Sequence, residues 1–259
     1  GLRVGWSADL GFAQVDAEVA EVSRAAALDV AAAAGVELVD VDVKLTDPVA
    51  TWLSAGAMSL WLSIMEHEHW PDRADDLTPY VRTALEATYD RPLRTLVNGY
   101  RRRLQLQQDM SDLFAEVDVL MTPTTAVPAF SAKGPPPEEI AGVAVGAAMS
   151  VPFTMLANLC WNPAVSVPAG LNSEGLPIGL QVIGRRHHDE VPLRFARLLE
   201  LARPWPRHAP APGGAHSIVS PVSGCAVTVT EPLSRAGPSS VRTAVTASWQ
   251  RGQDFTGTI

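Results

Sequence analysis

The chain has few lysines for its length. Of its 259 residues, Lys44 and Lys133 are the only lysines, so nearly all of the 20 basic residues are arginine. The 28 acidic residues outnumber the basic ones, and the formal net charge is −8. A protein that binds nucleic acid needs clustered positive charge to match the phosphates. The composition therefore argues against nucleic acid as a main partner.

Cysteine is equally scarce. Cys160 and Cys225 lie in very different sequence contexts, and two such residues make neither a disulfide framework nor a metal cage. The histidines of residues 66–69 lack the His-Glu-x-x-His spacing of a metal site. No charged segment followed by an apolar one opens the chain as a secretory signal would. We therefore predict a cytoplasmic protein with no metal and no cofactor.

Charged residues are absent from Ile140 to Ser173. About 20 apolar residues are enough to cross a bilayer, so length alone would allow a membrane span. Pro152, Pro163 and Pro168 interrupt this segment, however, and backbone groups left unpaired at prolines are costly in lipid. The segment instead predicts a buried helix followed by a buried strand, with no membrane association.

The beginning of the chain predicts a strand, a helix and a second strand. Residues 2–6 are mostly apolar, Asp16 can cap a helix that Gly35 ends, and residues 37–43 alternate. This order indicates an α/β fold with a mixed β-sheet flanked by helices. The remaining predicted elements are helices from Asp47, Thr78 and Pro92, a strand over 118–122, a loop over 123–143, a helix over 145–159 bent near Pro152, strands over 164–167 and 178–183, and a helix over 190–202.

The composition changes near Pro204. The segment that follows is rich in Ser, Thr, Pro and Gly, and it has no sustained hydrophobic period. We predict one domain over residues 1–210 and a poorly ordered tail over residues 211–259. One hypothesis for the tail is a non-native read-through, added by a frameshift or a lost stop codon.

Several motifs follow one another in the second half of the chain. Residues 118–123 read Asp-Val-Leu-Met-Thr-Pro, and the block from Asn158 to Gly184 includes Asn-Pro-Ala-Val-Ser-Val-Pro-Ala-Gly and Gly-Leu-Pro-Ile-Gly-Leu-Gln-Val-Ile-Gly. With the opening strand and helix, they make the chain resemble the C-terminal half of the amidase signature family over about residues 2–210. One departure from the family's pattern is Asn162, where many members have glycine. The resemblance implies part of the amidase-signature fold.

The resemblance also implies a reaction. Members of the family hydrolyse carboxylic amides with a serine nucleophile, a second serine in a cis peptide, a lysine base and a Gly/Ser-rich loop that donates to the oxyanion. A hydroxyl needs a base to become a good nucleophile, and the tetrahedral intermediate needs preplaced donors. These elements belong to the N-terminal half of the family's members. The resemblance therefore implies a truncated amidase, and we assign no catalytic residue to this chain.

Side chains at strand ends and in loops are the candidates for a substrate pocket, because sites concentrate on loops held by a rigid scaffold. We predict that Thr124, Phe153, Asn158 and Trp161 bind substrate in the intact enzyme, where the substrate would be a small amide or ester. The alternative for most positions of this block is a pair of core strands with no role in binding.

The sequence leaves three functions open. The chain is the inactive part of an amidase, a non-catalytic assembly subunit that docks with a separate N-terminal half through an unpaired sheet edge, or a non-functional fragment with a bare core face. A homodimer is a further assembly left open. The identity of the amide is not predicted.

Overall fold

A computed structural model describes residues 1–66 and 70–205. A five-stranded sheet with both parallel and antiparallel pairs lies at its centre, and helices flank it. The predicted α/β fold with a mixed sheet is confirmed. The predicted tail over 211–259 lies outside the described residues, so the domain boundary stays a prediction.

The main sheet is built from five strands. They are β1 (Val4–Trp6), β2 (Leu38–Asp40), β3 (Val119–Pro123), β6 (Ala164–Leu171) and β7 (Pro177–Gly184). A hairpin of β4 (Glu139–Ile140) and β5 (Val143–Ala144) begins within the segment predicted as a loop and extends one residue beyond it. The helices are α1 (Ala17–Ala34), α2 (Val49–Thr51), α3 (Ala57–Glu66), α4 (Pro79–Tyr89), α5 (Leu93–Glu116), α6 (Pro152–Cys160) and α7 (Glu190–Ala202).

The order of the strands in the main sheet is β2-β1-β3-β7-β6. Strand β1 pairs in parallel with β2 and β3, whereas β7 is antiparallel to β3 and β6. The sheet is thus parallel on one side of β3 and antiparallel on the other.

Local signals at both ends explain why α1 forms where it does. The Asp16 carboxylate accepts hydrogen bonds from the backbone N–H groups of Glu18 and Val19, at 2.9 and 3.1 Å. Gly35 ends the helix in the left-handed conformation, with φ of 67°. These contacts satisfy backbone groups that the helix leaves unpaired at its ends. The predicted β1–α1–β2 unit is therefore confirmed, with β1 and β2 parallel.

The helix predicted over 145–159 begins later than expected. A 3-10 turn covers Ala147–Ser150, and α6 starts at Pro152. Proline lacks an N–H group and clashes with the preceding turn inside a helix, but it is tolerated at the first helical position. Pro152 therefore starts the helix rather than bending it.

Helices pack on both faces of the sheet. One cluster of buried residues packs the sheet against α5 and α6, and a second packs it against α1 and α7. Strand β3 contributes to both, because Leu120 belongs to the first cluster, and Val119 and Met121 to the second. This alternation is the period of two that a strand imposes on its side chains.

Within residues 1–66 and 70–205, no helix has the length and apolar character needed to cross a membrane.

Asp118 connects three strands at one end of the sheet. Its carboxylate accepts hydrogen bonds from the backbone N–H and the guanidinium of Arg3, and from the Arg185 guanidinium at 2.9 Å. Arg3 precedes β1, Asp118 precedes β3, and Arg185 follows β7. These bonds, those from Arg3 above all, hold the pKa of the Asp118 carboxyl below its ordinary value.

Replacing Asp118 with asparagine is expected to lower the free energy of unfolding at pH 7 by about 1–3 kcal/mol, because two arginines lose a charged acceptor. The pKa of Asp118 is lower in the folded chain than the value of about 3.9 in an unfolded one. The stabilisation is therefore present above about pH 4 and is lost as the pH falls through the folded pKa. Urea unfolding at several pH values should show the difference between wild type and variant shrinking in acid.

Asp42→Asn is the matched control, because the Asp42 carboxylate pairs with the Lys44 amine and both side chains are about four-fifths exposed. Exposed ion pairs contribute little to stability. A difference between wild type and Asp118→Asn that stays constant down to about pH 2 would show that the ion pairs are not its cause.

Candidate functional site

The parallel strands β1 and β3 end at the same edge of the sheet, which we call the carboxyl edge. Strand β3 ends at Pro123, and the backbone N–H of Thr124 donates to the carbonyl oxygen of Gly179 at 2.9 Å. In open α/β sheets, ligands bind outside the carboxyl ends of the strands. The carboxyl edge is therefore the first candidate for the position of a site.

Two hydroxyl groups meet at this edge. The Thr124 Oγ1 and Ser166 Oγ atoms lie 2.8 Å apart, within hydrogen-bond distance, and we call these two residues the hydroxyl pair. Gly179 lies directly beside them, and a Cβ atom at this position would be 2.7 Å from Thr124 Oγ1 and 3.0 Å from Ser166 Oγ. Glycine at 179 therefore leaves the space in which the two hydroxyls approach each other.

An open depression of about 270 Å³ lies beside the hydroxyl pair. Strands β6 and β7 form it, and its lining residues are Ser166, Val167, Pro168, Pro177, Ile178 and Gly179. Further into the sheet, the buried Gln181 side chain donates to Thr122 Oγ1 at 3.2 Å. The depression is thus mostly apolar, with hydroxyl groups at one side.

The hydroxyl pair can orient a substrate but cannot activate a nucleophile by itself. One hydrogen is shared between the two oxygens, so a second hydroxyl hydrogen and several lone pairs are available to an amide carbonyl or N–H. Activation would need a base. In the part of the chain that the structure describes, neither lysine amine contacts a serine hydroxyl. The Lys44 amine lies 3.1 Å from the Asp42 carboxylate.

The four residues predicted to bind substrate do not lie together. Phe153 is completely buried in the cluster between the sheet and α5, and Asn158 is exposed, with its amide donating to the Thr154 carbonyl at 2.8 Å. Trp161 is 53% exposed and follows α6 at the sheet edge opposite to Thr124.

The edge with Thr124 and the edge with Trp161 lie at opposite ends of strand β3. It has five residues, which at 3.3 Å per residue amounts to roughly 15 Å. Thr124 and Trp161 therefore cannot line one small cavity within this chain. Only Thr124 lies beside the depression, and the substrate-binding role of each of the four residues stays a prediction.

Trp161 has an unusual backbone. Its φ of 57° and ψ of 34° lie in the left-handed region, which favours glycine. The family resemblance implied Asn162 as the position where many members have glycine, but the structure places the left-handed residue one position earlier. Asn162 is instead buried, and its amide donates to the carbonyl of Gly184 at 2.8 Å.

Ser166 was not predicted from the sequence as a partner of Thr124. A serine within an apolar strand is typical of core packing, and nothing in its neighbourhood marks it as a binding residue. Gly179 carried a usable signal, because glycine within a strand often marks a close approach of another group.

Among the described residues, no group of three or more His, Cys, Asp or Glu side chains could hold a metal ion. His67 and His69 lie outside those residues.

The family comparison agrees with this architecture. The family model described as Amidase matches residues 1–193, and the chain therefore belongs to the amidase signature family. It is 30% identical to the acylamidase of Rhodococcus erythropolis over 223 residues, which cover 82% of this chain and 44% of that protein. It is 42% identical to one subunit of the glutamyl-tRNA(Gln) amidotransferase of Parvibaculum lavamentivorans over 100 residues, 39% of this chain and 19% of that protein.

Solved structures show the same fold. A bacterial aryl acylamidase of the amidase signature family superposes with a TM-score of 0.65 at 24% identity, over 79% of this chain and 44% of that one. The 6-aminohexanoate cyclic dimer hydrolase in complex with its substrate has a TM-score of 0.56 at 22% identity, over 79% and 46% of the two chains. The chain thus spans less than half the length of these relatives. The predicted family and fold class are confirmed.

Proposed function

We propose that this chain contributes the C-terminal part of an amidase that hydrolyses the C–N bond of carboxylic amides. The family match over residues 1–193 carries this proposal. The nucleophilic serine, the serine of the cis peptide and the lysine base would come from residues outside this chain, as the family resemblance implies. The chain would then be inactive alone.

In this proposal the hydroxyl pair acts on the substrate without entering the chemistry. The nucleophilic serine attacks the amide carbon, the amine leaves, and water hydrolyses the acyl-enzyme. Thr124 and Ser166 would hold the substrate at the carboxyl edge by donating to a carbonyl oxygen or accepting from an N–H group. The apolar walls of the depression would pack against the acyl chain.

The first experiment measures hydrolysis of an anilide by the purified chain, together with labelling by a fluorophosphonate that reacts with activated serines. We expect neither turnover nor labelling, because in the described part of the chain neither lysine amine contacts a serine hydroxyl, and the Ser173 hydroxyl donates only to the Glu18 carboxylate at 3.1 Å, not to a lysine. Turnover that disappears when one serine of this chain is replaced would overturn the proposal.

A second experiment tests the hydroxyl pair in a working enzyme. Residues 1–205 replace the matching segment of the Rhodococcus acylamidase, and Thr124→Val and Ser166→Ala are made in the chimera. Each is expected to raise KM by about 2–10-fold, the value of one neutral hydrogen bond. Thr125→Val is the control, because the Thr125 hydroxyl donates to the Val127 carbonyl within its own loop. Unchanged KM in both variants would show that the hydroxyl pair does not contribute to substrate binding.

A second candidate function is that of one member of a multi-subunit complex. The similarity to a protein named as a component of an amidotransferase favours it. The catalytic residues would then lie on a separate polypeptide. The DNA before the codon of residue 1 distinguishes the two. A continuous frame that encodes a lysine and a Gly/Ser-rich loop supports a single enzyme, whereas a separate gene for such a polypeptide supports the complex.

A further inference from the structure

Arg103 is a buried cation on α5. Its residue is 7% exposed, its Nε donates to the carbonyl of Leu159 at 2.8 Å, and its guanidinium carbon lies 4.7 Å from the centroid of the Trp161 ring. Charges buried in proteins are usually paired with an opposite charge. In residues 1–66 and 70–205, no carboxylate lies within ion-pair distance of Arg103.

Arg186 is a second cation at the same ring. Its guanidinium carbon lies 5.2 Å from the Trp161 centroid, and the described part of the chain gives it no carboxylate partner either. Burial, and the nearby charge of Arg186 to a smaller degree, lower the pKa of Arg103. Asp109 lies on the same helix as Arg103 and accepts from Gln105, and Asp118 lies at the same end of the sheet as Arg186 and binds Arg3 and Arg185. Among the residues that the structure describes, two positive charges therefore share one aromatic ring without an anion.

Two buried polar atoms next to these residues also lack a partner. The Oδ1 atom of Asn162 and the Nε atom of Arg185 are buried and make no hydrogen bond. Asn162 directly follows Trp161, and Arg185 directly precedes Arg186. Buried polar atoms without a hydrogen bond are rare in folded proteins. Their presence here indicates that this end of the sheet is completed by groups outside the described residues, with a donor for Asn162 Oδ1 and an acceptor for Arg185 Nε.

We propose that Arg103, Trp161 and Arg186 form a binding site for a carboxylate, which we call the arginine–tryptophan site. Guanidinium groups bind carboxylates with two parallel hydrogen bonds, and both guanidiniums keep N–H donors beyond their contacts with the ring. The ring holds the two cations close together. The site lies at the sheet edge opposite to the hydroxyl pair, so it is separate from the proposed substrate pocket and does not depend on it. Its carboxylate belongs to a small molecule or to an acidic side chain of a polypeptide.

Titration of the full chain with succinate tests the site, because two carboxylates suit two arginines. Calorimetry and the thermal unfolding midpoint are measured against sodium chloride at equal ionic strength and against uncharged succinamide. We expect succinate alone to bind and to raise the midpoint. Arg186→Gln should weaken binding at least tenfold. Trp161→Gly, which the left-handed backbone accepts, should weaken it as well.

Arg101→Gln is the matched control. Arg101 is exposed on α5, two residues from Arg103 and so on a different side of the helix, and its replacement should leave binding unchanged. Titration with a glutamate-rich peptide and its glutamine counterpart separates the two sources of the carboxylate. Glutamate-peptide binding that exceeds succinate binding tenfold and is lost in Arg186→Gln supports the site with a polypeptide ligand. Binding of neither probe, or equal binding by all variants, would overturn the proposal.

Discussion

Replacing Phe153 with alanine is expected to lower the free energy of unfolding by about 3–5 kcal/mol, the cost of removing a fully buried aromatic ring and leaving a cavity. Phe153 has no exposed surface, and it lies in the cluster that joins the sheet to α5 and α6. Urea unfolding followed by circular dichroism measures the loss. An effect of this size would be a large part of the stability of an ordinary domain.

Asn158→Ala is the natural comparison, because Asn158 lies on the same helix and was predicted from the sequence to share the pocket with Phe153. Its side chain is exposed and donates to a carbonyl of its own helix. We expect a change within about 0.5 kcal/mol. If Phe153→Ala were as mild as Asn158→Ala, the ring would not be part of the core, and a role in a cavity would be the better explanation.

Replacing Gly11 with alanine is expected to cost about 2–5 kcal/mol, the sum of a left-handed backbone and overpacking. Gly11 has φ of 76°. A Cβ atom there would collide with the Val43 carbonyl oxygen and lie 2.9 Å from the Cα atom of Lys44. These are backbone atoms, and the hydrogen bond from the Leu45 N–H to the Leu10 carbonyl at 3.1 Å holds the two segments together. They therefore cannot move aside cheaply.

Gly35→Ala separates the two contributions. Gly35 also has a left-handed backbone, with φ of 67°, but a Cβ atom there would meet nothing within 4 Å. Its replacement should lower the free energy of unfolding only by the cost of the left-handed backbone, about 1–2 kcal/mol. Thermal unfolding of the two variants side by side measures the difference. Equal losses would show that the segment from Val43 to Leu45 yields to the new methyl group.

The parts of the fold that were predicted correctly depend on local chemistry. Asp16 and Gly35 lie at the two ends of α1 and cap it. Pro192 lies in the first turn of α7, where its missing N–H is tolerated. The helix predicted over 145–159 was wrong at its start, because apolar small residues continue before Pro152 with no residue that signals a boundary. A hydrophobic period alone does not distinguish a 3-10 turn from an α-helix.

The candidate site was predictable only in part, and distance along the chain explains why. Thr124 could be singled out because it follows a buried strand. Its partner Ser166 is 42 residues away and meets it only because β7 lies between β3 and β6 in the sheet. The position of Trp161 at the opposite edge likewise depends on strand order. No local pattern contains that information.

The outer strand β6 limits the ways in which this chain can associate with other polypeptides. It carries Pro168, and its register with β7 shifts between Pro168 and Gly170. A proline has no N–H to offer a neighbouring strand, and an interrupted register does not present the regular row of donors and acceptors that a foreign strand needs. This border of the sheet is therefore a poor template for fibrils. A lasting association with another polypeptide at this border should use side chains rather than backbone pairing along β6.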